Sequence, residues 1–354
     1  MSDYTPQAQD LLALAFQEQA SDLHISVGHS PILRISGRLI PLKGKKISAE
    51  DSEGLAAALM SEDQRKRFLA EKEIDFSYNF SEKARFRVNI FLQQGHVSCA
   101  LRLVTTKIKT IEELNLPPSL HNFTRPTQGF VLITGPSSHG KSTTLASLID
   151  EINHNRAEHI ITIEDPIEYI FEDDRSVIEQ REVYQDTLSF SRALRATFRQ
   201  DPDVIMVGEM RDPETMAIAI TAAETGHLVF ATLHTNSASQ TIHRIVDSFP
   251  PEQQQQIRAQ LSGSLLGVIS QRLIPRIKGG LMPACEIMLT TPAVANLIRE
   301  NKIHELDLVI ETSAEAGMIS LNRALAGLIK SREISLENAL SYSQNSAELR
   351  KLIK

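Results

Sequence analysis

Gly135-Pro136-Ser137-Ser138-His139-Gly140-Lys141-Ser142-Thr143 fits G-x-x-x-x-G-K-[ST], a spacing suited to holding polyphosphate. The two glycines let the backbone curl into a nest of N–H donors, and a following helix adds positive potential at its N-terminus. Lys141 is then set to reach the β- and γ-phosphates of ATP and the Ser142 hydroxyl to bind Mg2+. Gly135, Ser137, Ser138, His139, Gly140 and Thr143 complete the cradle. The segment directly follows Phe130–Thr134, an apolar run of the kind expected for a strand buried on both faces. A helix opening near Ser142 completes the strand–loop–helix context that the chemistry demands; a plain Gly/Ser turn demands neither neighbour.

A triphosphate site also needs carboxylates at neighbouring strand ends. Val204–Val207 runs into Gly208-Glu209, so Glu209 is a candidate to hold Mg2+, directly or through a water. Ile163-Glu164-Asp165-Pro166-Ile167-Glu168 gathers three acids around a proline-fixed turn, an arrangement that is unfavourable without a cation nearby. In-line attack by water needs a base or orienting group, and Glu168 or Glu164 could serve; the spacing alone leaves both open. His227 and His234 bracket the apolar run Leu228–Leu233. Followed by Thr235 and Asn236, His234 is placed as a γ-phosphate sensor, whereas His227 reads equally well as structural. Arg192, Arg195 and Arg199 form one stripe of a helix, explained as well by a solvated face as by function. Arg85 and Arg87 alternate onto one face of an earlier strand. With Arg102 they are candidates for a guanidinium delivered from another domain or subunit to the transferring phosphate.

These residues must be positioned by two kinds of architecture. Residues 1–118 mix helical and alternating patterns, with strands expected at Leu23–Val27, in a hairpin turning near Gly37, and over Phe76–Phe80, Ala84–Leu92 and His96–Val104. They read as a small α+β domain. Prolines at 117, 118 and 126 mark a linker over 119–129. From 130 to 291 strand and helix patterns alternate, as expected for a parallel sheet covered on both faces. Segments 293–300, 303–311, 321–330 and 335–353 are helical, so residues 292–354 read as a helical bundle. The 354 residues exceed the usual single domain, and two cysteines cannot build a disulfide framework or a four-thiolate zinc site. No run approaches the ~18 apolar residues of a spanning helix, and the start lacks a secretory pattern, so a soluble cytoplasmic protein is expected. A net charge of −7 argues against nucleic acid as a direct partner.

Taken together, the chain resembles the secretion ATPase superfamily, most of all the type IV pilus retraction ATPases of twitching motility. The resemblance rests on ASDLHIS at 20–26, ARFRVNIF at 84–91, GPSSHGKSTT at 135–144, ITIEDPIEY at 161–169 and QREV at 180–183. It continues through DPDVIMVGEMRD at 201–212, TAAETGHLVFATLHTNSA at 221–238 and AVANLIRE at 293–300. It implies an α/β fold: a PAS-like N-terminal domain joined to a RecA-like P-loop ATPase core with a C-terminal helical bundle, assembled as a homo-hexameric ring. By the family pattern Lys141 and Ser142 bind ATP and Mg2+, Glu168 is the catalytic carboxylate, Glu209 the second-strand acid, and His227 and His234 the histidine box. Arg85, Arg87 and Arg102 become the trans-acting arginines. The implied activity is ATP hydrolysis powering pilus retraction through an inner-membrane platform protein, with the ring peripheral at the cytoplasmic face of the inner membrane. Alternatives are a pilus extension or type II secretion ATPase, which usually carries a larger N-terminal region and a four-cysteine zinc module, and a RecA-like DNA translocase. Two positions depart from the family: Ser138-His139 stand where Gly-Ser is usual, and Ala295 where the retraction pattern has arginine.

Overall fold

Alternating apolar residues over the first hundred positions form a six-stranded antiparallel sheet, in the order β3-β2-β1-β6-β5-β4. The computed structural model describes residues 3–35, 37–81, 84–104 and 107–353. The strands are β1 (Asp22–Ile25), β2 (Ile32–Ile35), β3 (Arg38–Pro41), β4 (Glu73–Ser81), β5 (Ala84–Gln93) and β6 (His96–Val104); the helices are α1 (Thr5–Gln17), α2 (Ala49–Leu59) and α3 (Glu62–Glu71). The β2–β3 hairpin turns near Gly37, with Ser36 outside the described residues. Ser48 caps α2 reciprocally with Asp51, satisfying donors that the first turn leaves open. On β5 Ala84, Phe86, Val88 and Ile90 are buried against Leu12, Leu55 and Leu59 of α1 and α2, while Arg85 and Arg87 lie on the other face. Burying each large side chain contributes about 1.5–3 kcal/mol, so this face fixes the register of the arginine face.

The chain divides into two units, Met1–Lys107 with Pro166–Ile170, and Ile108–Asp165 with Phe171–Lys354. Ile111, Leu116, Leu120 and Phe123 are buried members of the second. Its sheet has seven strands in the order β13-β12-β7-β11-β10-β8-β9. They are β7 (Gly129–Thr134), β8 (His159–Glu164), β9 (Val177–Glu182), β10 (Val204–Val207), β11 (Leu228–Leu233), β12 (Leu265–Pro275) and β13 (Leu281–Leu289). All neighbours are parallel except β12 and β13. The helices are α4 (Lys141–Asn155), α5 (Phe190–Thr197), α6 (Pro213–Glu224), α7 (Ala238–Asp247) and α8 (Pro251–Ser264). The helices α9 (Pro292–Arg299), α10 (Leu306–Thr312), α11 (Leu321–Lys330), α12 (Leu336–Tyr342) and α13 (Ser346–Ile353) follow.

The fully buried runs of β7, β10 and β11 are as their composition predicts. The expected helix over 335–353 is instead two. The chain extends at Ser343, whose hydroxyl donates to Asn322 Oδ1 at 2.7 Å, and α13 begins three residues later. On α9 the buried stripe is Val294 and Ile298, leaving Asn296, Arg299 and Glu300 exposed. Both cysteine thiols are buried, which pushes each up to about 12 and keeps them unreactive. Among the described residues no helix is long and apolar enough to cross a membrane.

Candidate nucleotide site

β7 delivers the chain from the sheet interior to Gly135, and α4 begins at Lys141, so residues 135–140 form the loop between a buried strand and a helix N-terminus. The neighbouring strand sets its shape. β12 runs parallel to β7 with Ser270 opposite Thr134, which brings Gln271 beside Gly135. Gly135 has φ +147°, and a Cβ there would overlap the Gln271 carbonyl oxygen. Gly140, the N-cap of α4, has φ +79°. Ser138 has φ +64°, a left-handed conformation that costs a side chain roughly 1–2 kcal/mol and that glycine adopts freely.

Lys141 is buried, and its ammonium donates to the carbonyl oxygens of Gly135 and Pro136, each at 2.9 Å. The same nitrogen lies 3.3 Å from Nδ1 of His234. The His234 ring also has Nδ1 3.4 Å from the Ser137 hydroxyl and Nε2 3.1 Å from Glu209 Oε1. The other Glu209 oxygen accepts from Arg211 Nε at 2.9 Å, and Arg211 reaches Asp165 at 3.6 Å. Burial opposes the charge on Arg211, but Glu209 and Asp165 outweigh it and raise its pKa. The expected residues Lys141, Ser137, His234 and Glu209 thus meet at the C-terminal end of the sheet, where ligands of open α/β folds bind. Ser142 stands in the first turn of α4 beside Lys141 and Thr143.

His139 turns its ring away from that cluster. Its Nδ1 accepts the Leu273 N–H at 2.9 Å, and the ring meets Tyr342 of α12 edge-on with centroids 6.3 Å apart. Burial, with Arg272 and Lys141 adding to it, holds the imidazole below its ordinary pKa, in the neutral form that can accept. Glu164 ends β8 buried, accepting from Thr162 Oγ1 at 2.7 Å and Gln180 Nε2 at 3.1 Å.

His227 is not brought to the phosphate loop. It precedes β11, at the end opposite His234; six strand residues separate the two by about 20 Å. Its Nδ1 faces the Ala222 carbonyl at 2.9 Å and its ring packs edge-on against Phe198. Arg192 and Arg199 are exposed, and Arg195 pairs with Glu214 across the surface.

In the first unit Arg87 and Arg102 are direct cross-strand partners on β5 and β6, with Arg85 two residues along on the same face. Like charges so placed repel, and carboxylates balance them. Arg87 lies 3.9 Å from Asp75 and 3.7 Å from Glu168, which belongs to the same unit through Pro166–Ile170. Arg102 Nε donates to Asp22 at 3.0 Å, and Arg34 approaches the same carboxylate at 3.3 Å. Burial opposes ionisation of Asp22, but the Ser21 hydroxyl and Arg102 together hold its carboxyl below the ordinary range.

Sequence reasoning missed Arg211, Gln271 and Arg272. Arg211 carried a signal, standing two residues beyond Glu209. The others did not, because β12 was not recognised as a strand. The donors present suit Mg-ATP: a glycine-bounded loop, one lysine, the Ser142 hydroxyl and one strand-end acid. Among the described residues no three His, Cys, Asp or Glu side chains gather into a metal cluster. That is compatible with a cation held largely by substrate phosphates and water.

The family model described as "Type II/IV secretion system protein" matches residues 6–306. The type IV pilus retraction ATPase PilT of Pseudomonas aeruginosa is 47% identical over 335 residues, covering 93% of this chain and 96% of that one. A twitching motility protein of Neisseria gonorrhoeae is 43% identical over 321 residues, covering 90% and 86%. The crystal structure of the pilus retraction motor PilT with bound ADP superposes with a TM-score of 0.90 at 45% identity, covering 97% of this chain and 98% of that one. The fold is accordingly the one expected, an N-terminal α+β domain and a P-loop ATPase core. The chain belongs to the pilus-retraction ATPases of the Type II/IV secretion system protein family.

Proposed function

We propose that the protein is an ATP-hydrolysing motor that works as a homo-hexameric ring and powers type IV pilus retraction, the disassembly step of twitching motility. The observation that carries the reading is the convergence of Lys141, His234 and Glu209 on one strand-to-helix loop. Lys141 and the loop N–H groups bind the β- and γ-phosphates of ATP. Mg2+, when bound through Ser142 and linked to Glu209, neutralises phosphate charge. His234 contacts both the loop and Glu209, and so reports the γ-phosphate to the strand-end acid. Glu168 orients the attacking water; its rival Glu164 is already committed to buried hydrogen bonds. Arg85, Arg87 and Arg102 supply guanidinium charge across a subunit interface. The ring acts at the cytoplasmic face of the inner membrane, through a platform protein of the pilus machinery and without direct contact with nucleic acid.

The test is ATPase assay and sizing of the purified protein, with and without DNA, beside two variants. Lys141→Ala should weaken ATP binding about 100-fold, since two or more charge-assisted bonds to phosphate are lost. Glu168→Gln should retain binding and lose turnover by about 10²–10⁴. Equal loss of affinity in both variants would remove Glu168 from its role, and turnover stimulated by DNA would favour a translocase.

A further inference from the structure

Gln271 lies outside the phosphate loop, yet it grips the loop at both ends. It sits on β12, only 2% exposed. Its amide nitrogen donates to the His139 carbonyl at 2.8 Å, and its amide oxygen accepts from the Thr144 hydroxyl of α4 at 2.7 Å. One planar group therefore holds the last bend of the loop and the first turn of the helix at a fixed spacing. The backbone of the same residue closes on the other end of the loop, where its carbonyl oxygen occupies the space of a Gly135 Cβ. The amide nitrogen also crowds Gly140, coming within 2.8 Å of where its Cβ would stand. Arg272, next on the strand, donates to that Gln271 carbonyl at 3.0 Å and to the Asn236 carbonyl and amide oxygens at 2.7 and 3.0 Å.

We propose that Gln271 is the positioning residue of the phosphate loop: its side-chain amide keeps the His139 carbonyl turned out of the nest, so that the loop N–H groups face the nucleotide phosphates. The physical ground is electrostatic. A backbone carbonyl that swings inward presents a negative dipole to a polyphosphate, and the nest functions only while its oxygens are held elsewhere. The donor on Gln271 gives that carbonyl a buried partner, and Thr144 fixes the amide orientation by occupying its oxygen. Gln271 touches neither phosphate nor water in this scheme and acts through the loop. The inference rests on the assignment of residues 135–143 as the nucleotide loop.

A Gln271→Glu substitution separates positioning from packing, because it keeps the shape and changes only the donor. Protonated, a glutamic acid at 271 donates to the His139 carbonyl and accepts from Thr144, as the amide does. Ionised, it offers that carbonyl only negative charge. Burial raises the pKa of such a carboxyl. The charged or titratable neighbours are Arg272 on its own strand, Cys285 on β13, and His139 and Lys141 of the loop and α4; all are shared with the parent protein. Mg-ADP affinity is measured by calorimetry on the full-length protein and on the variant from about pH 6.5 to about pH 9. The ratio of the two dissociation constants cancels the titration of ADP, which both proteins share. The expected ratio rises about tenfold towards alkaline pH and returns towards unity at the acid end, with KM for ATP following it and kcat changing less.

A ratio that is flat with pH overturns the proposal. Thr144→Val provides a second variant if Gln271→Glu fails to fold. It should weaken ADP several-fold with little change in kcat, and unchanged affinity would also overturn the proposal. Lys141→Ala is run in parallel. Loss of ADP binding there with a flat Gln271→Glu ratio rejects only the positioning role, whereas normal ADP binding in Lys141→Ala rejects the nucleotide loop itself and the inference with it.

Discussion

His234 Nε2 stands 3.1 Å from Glu209 Oε1, while the opposite ring nitrogen lies 3.3 Å from the Lys141 ammonium and 3.4 Å from the Ser137 hydroxyl. A single imidazole thus spans the gap between the phosphate loop and the acid beyond β10. Residues in one hydrogen-bonded network do not act independently. His234→Ala and Glu209→Gln should each lower kcat, and the double variant should be less impaired than the product of the two losses. A coupling energy of about 0.5–3 kcal/mol is expected from single-turnover hydrolysis rates. Strict multiplication of the two defects would mean that the contact carries nothing.

Arginine donation across subunits predicts complementation. Arg102→Ala and Glu168→Gln chains, each nearly inactive alone, should regain turnover when mixed and allowed to exchange subunits. Specific activity of the parent protein should likewise rise with concentration as rings form. The contact between Arg102 and Asp22 makes a competing expectation concrete. If the arginine serves only its own sheet, Arg102→Ala should lower the melting temperature and mixing should rescue nothing.

Glu286 supplies a pH dependence of stability with a defined sign. It lies buried on β13 and accepts the Ala238 N–H at 2.8 Å. Burial pushes its carboxyl up from 4.5 to about 7. Between those values the folded protein holds a proton that the unfolded chain has released, so stability is full below 4.5 and falls as pH rises through about 7. The loss is at most about 3 kcal/mol. Denaturant midpoints of Glu286→Gln should lack this slope across the window, and an unchanged slope would assign it to other groups.

Transmission to the pilus is expected to use the exposed side of α9. Asn296 and Arg299 are exposed while Val294 and Ile298 hold the helix in place, and Arg299 Nε lies 3.4 Å from the Ser262 hydroxyl. The Asn296→Ala, Arg299→Ala double variant should melt normally, since exposed polar changes alter stability by about ±0.5 kcal/mol. It should keep most ATPase activity and lose twitching in cells. Normal twitching would reject the coupling role, and proportional loss of ATPase would place the segment in the catalytic ring.

The phosphate loop, the strand-end acid and the arginine strand were legible in the sequence because each is local: a fixed spacing, an apolar run ending in Glu209, an alternation on β5. β12 was not legible. Leu265–Pro275 follows a helix with no turn residues between, and its apolar positions fit either period, so only pairing with β7 decides it. With the strand went Gln271 and Arg272, whose significance is wholly a matter of register. β9 and β13 are hidden in the sequence for reasons of their own. β9 carries charges at Glu179, Arg181 and Glu182 that mask a strand, and β13, although it follows β12 across a short hairpin, carries Pro283 inside its apolar run. The histidines show what an alternative left open in the sequence needs from the fold. His227 and His234 look symmetrical as letters around one apolar run, but a parallel strand has two inequivalent ends and only one of them meets the loop.

Gly135 carries one further implication, for how such sequences are inherited. Its lack of a side chain is imposed by the Gln271 carbonyl pressed against it, a constraint of sheet packing that no nucleotide creates. A descendant that had ceased to bind ATP would still be obliged to keep that glycine, because any replacement would force β7 and β12 apart. Lys141 is under no such obligation, and neither is Glu168. In comparing relatives, the first letter of the loop signature therefore testifies to the architecture whether or not phosphate is bound, and a degenerate copy betrays itself at the lysine and the acid first.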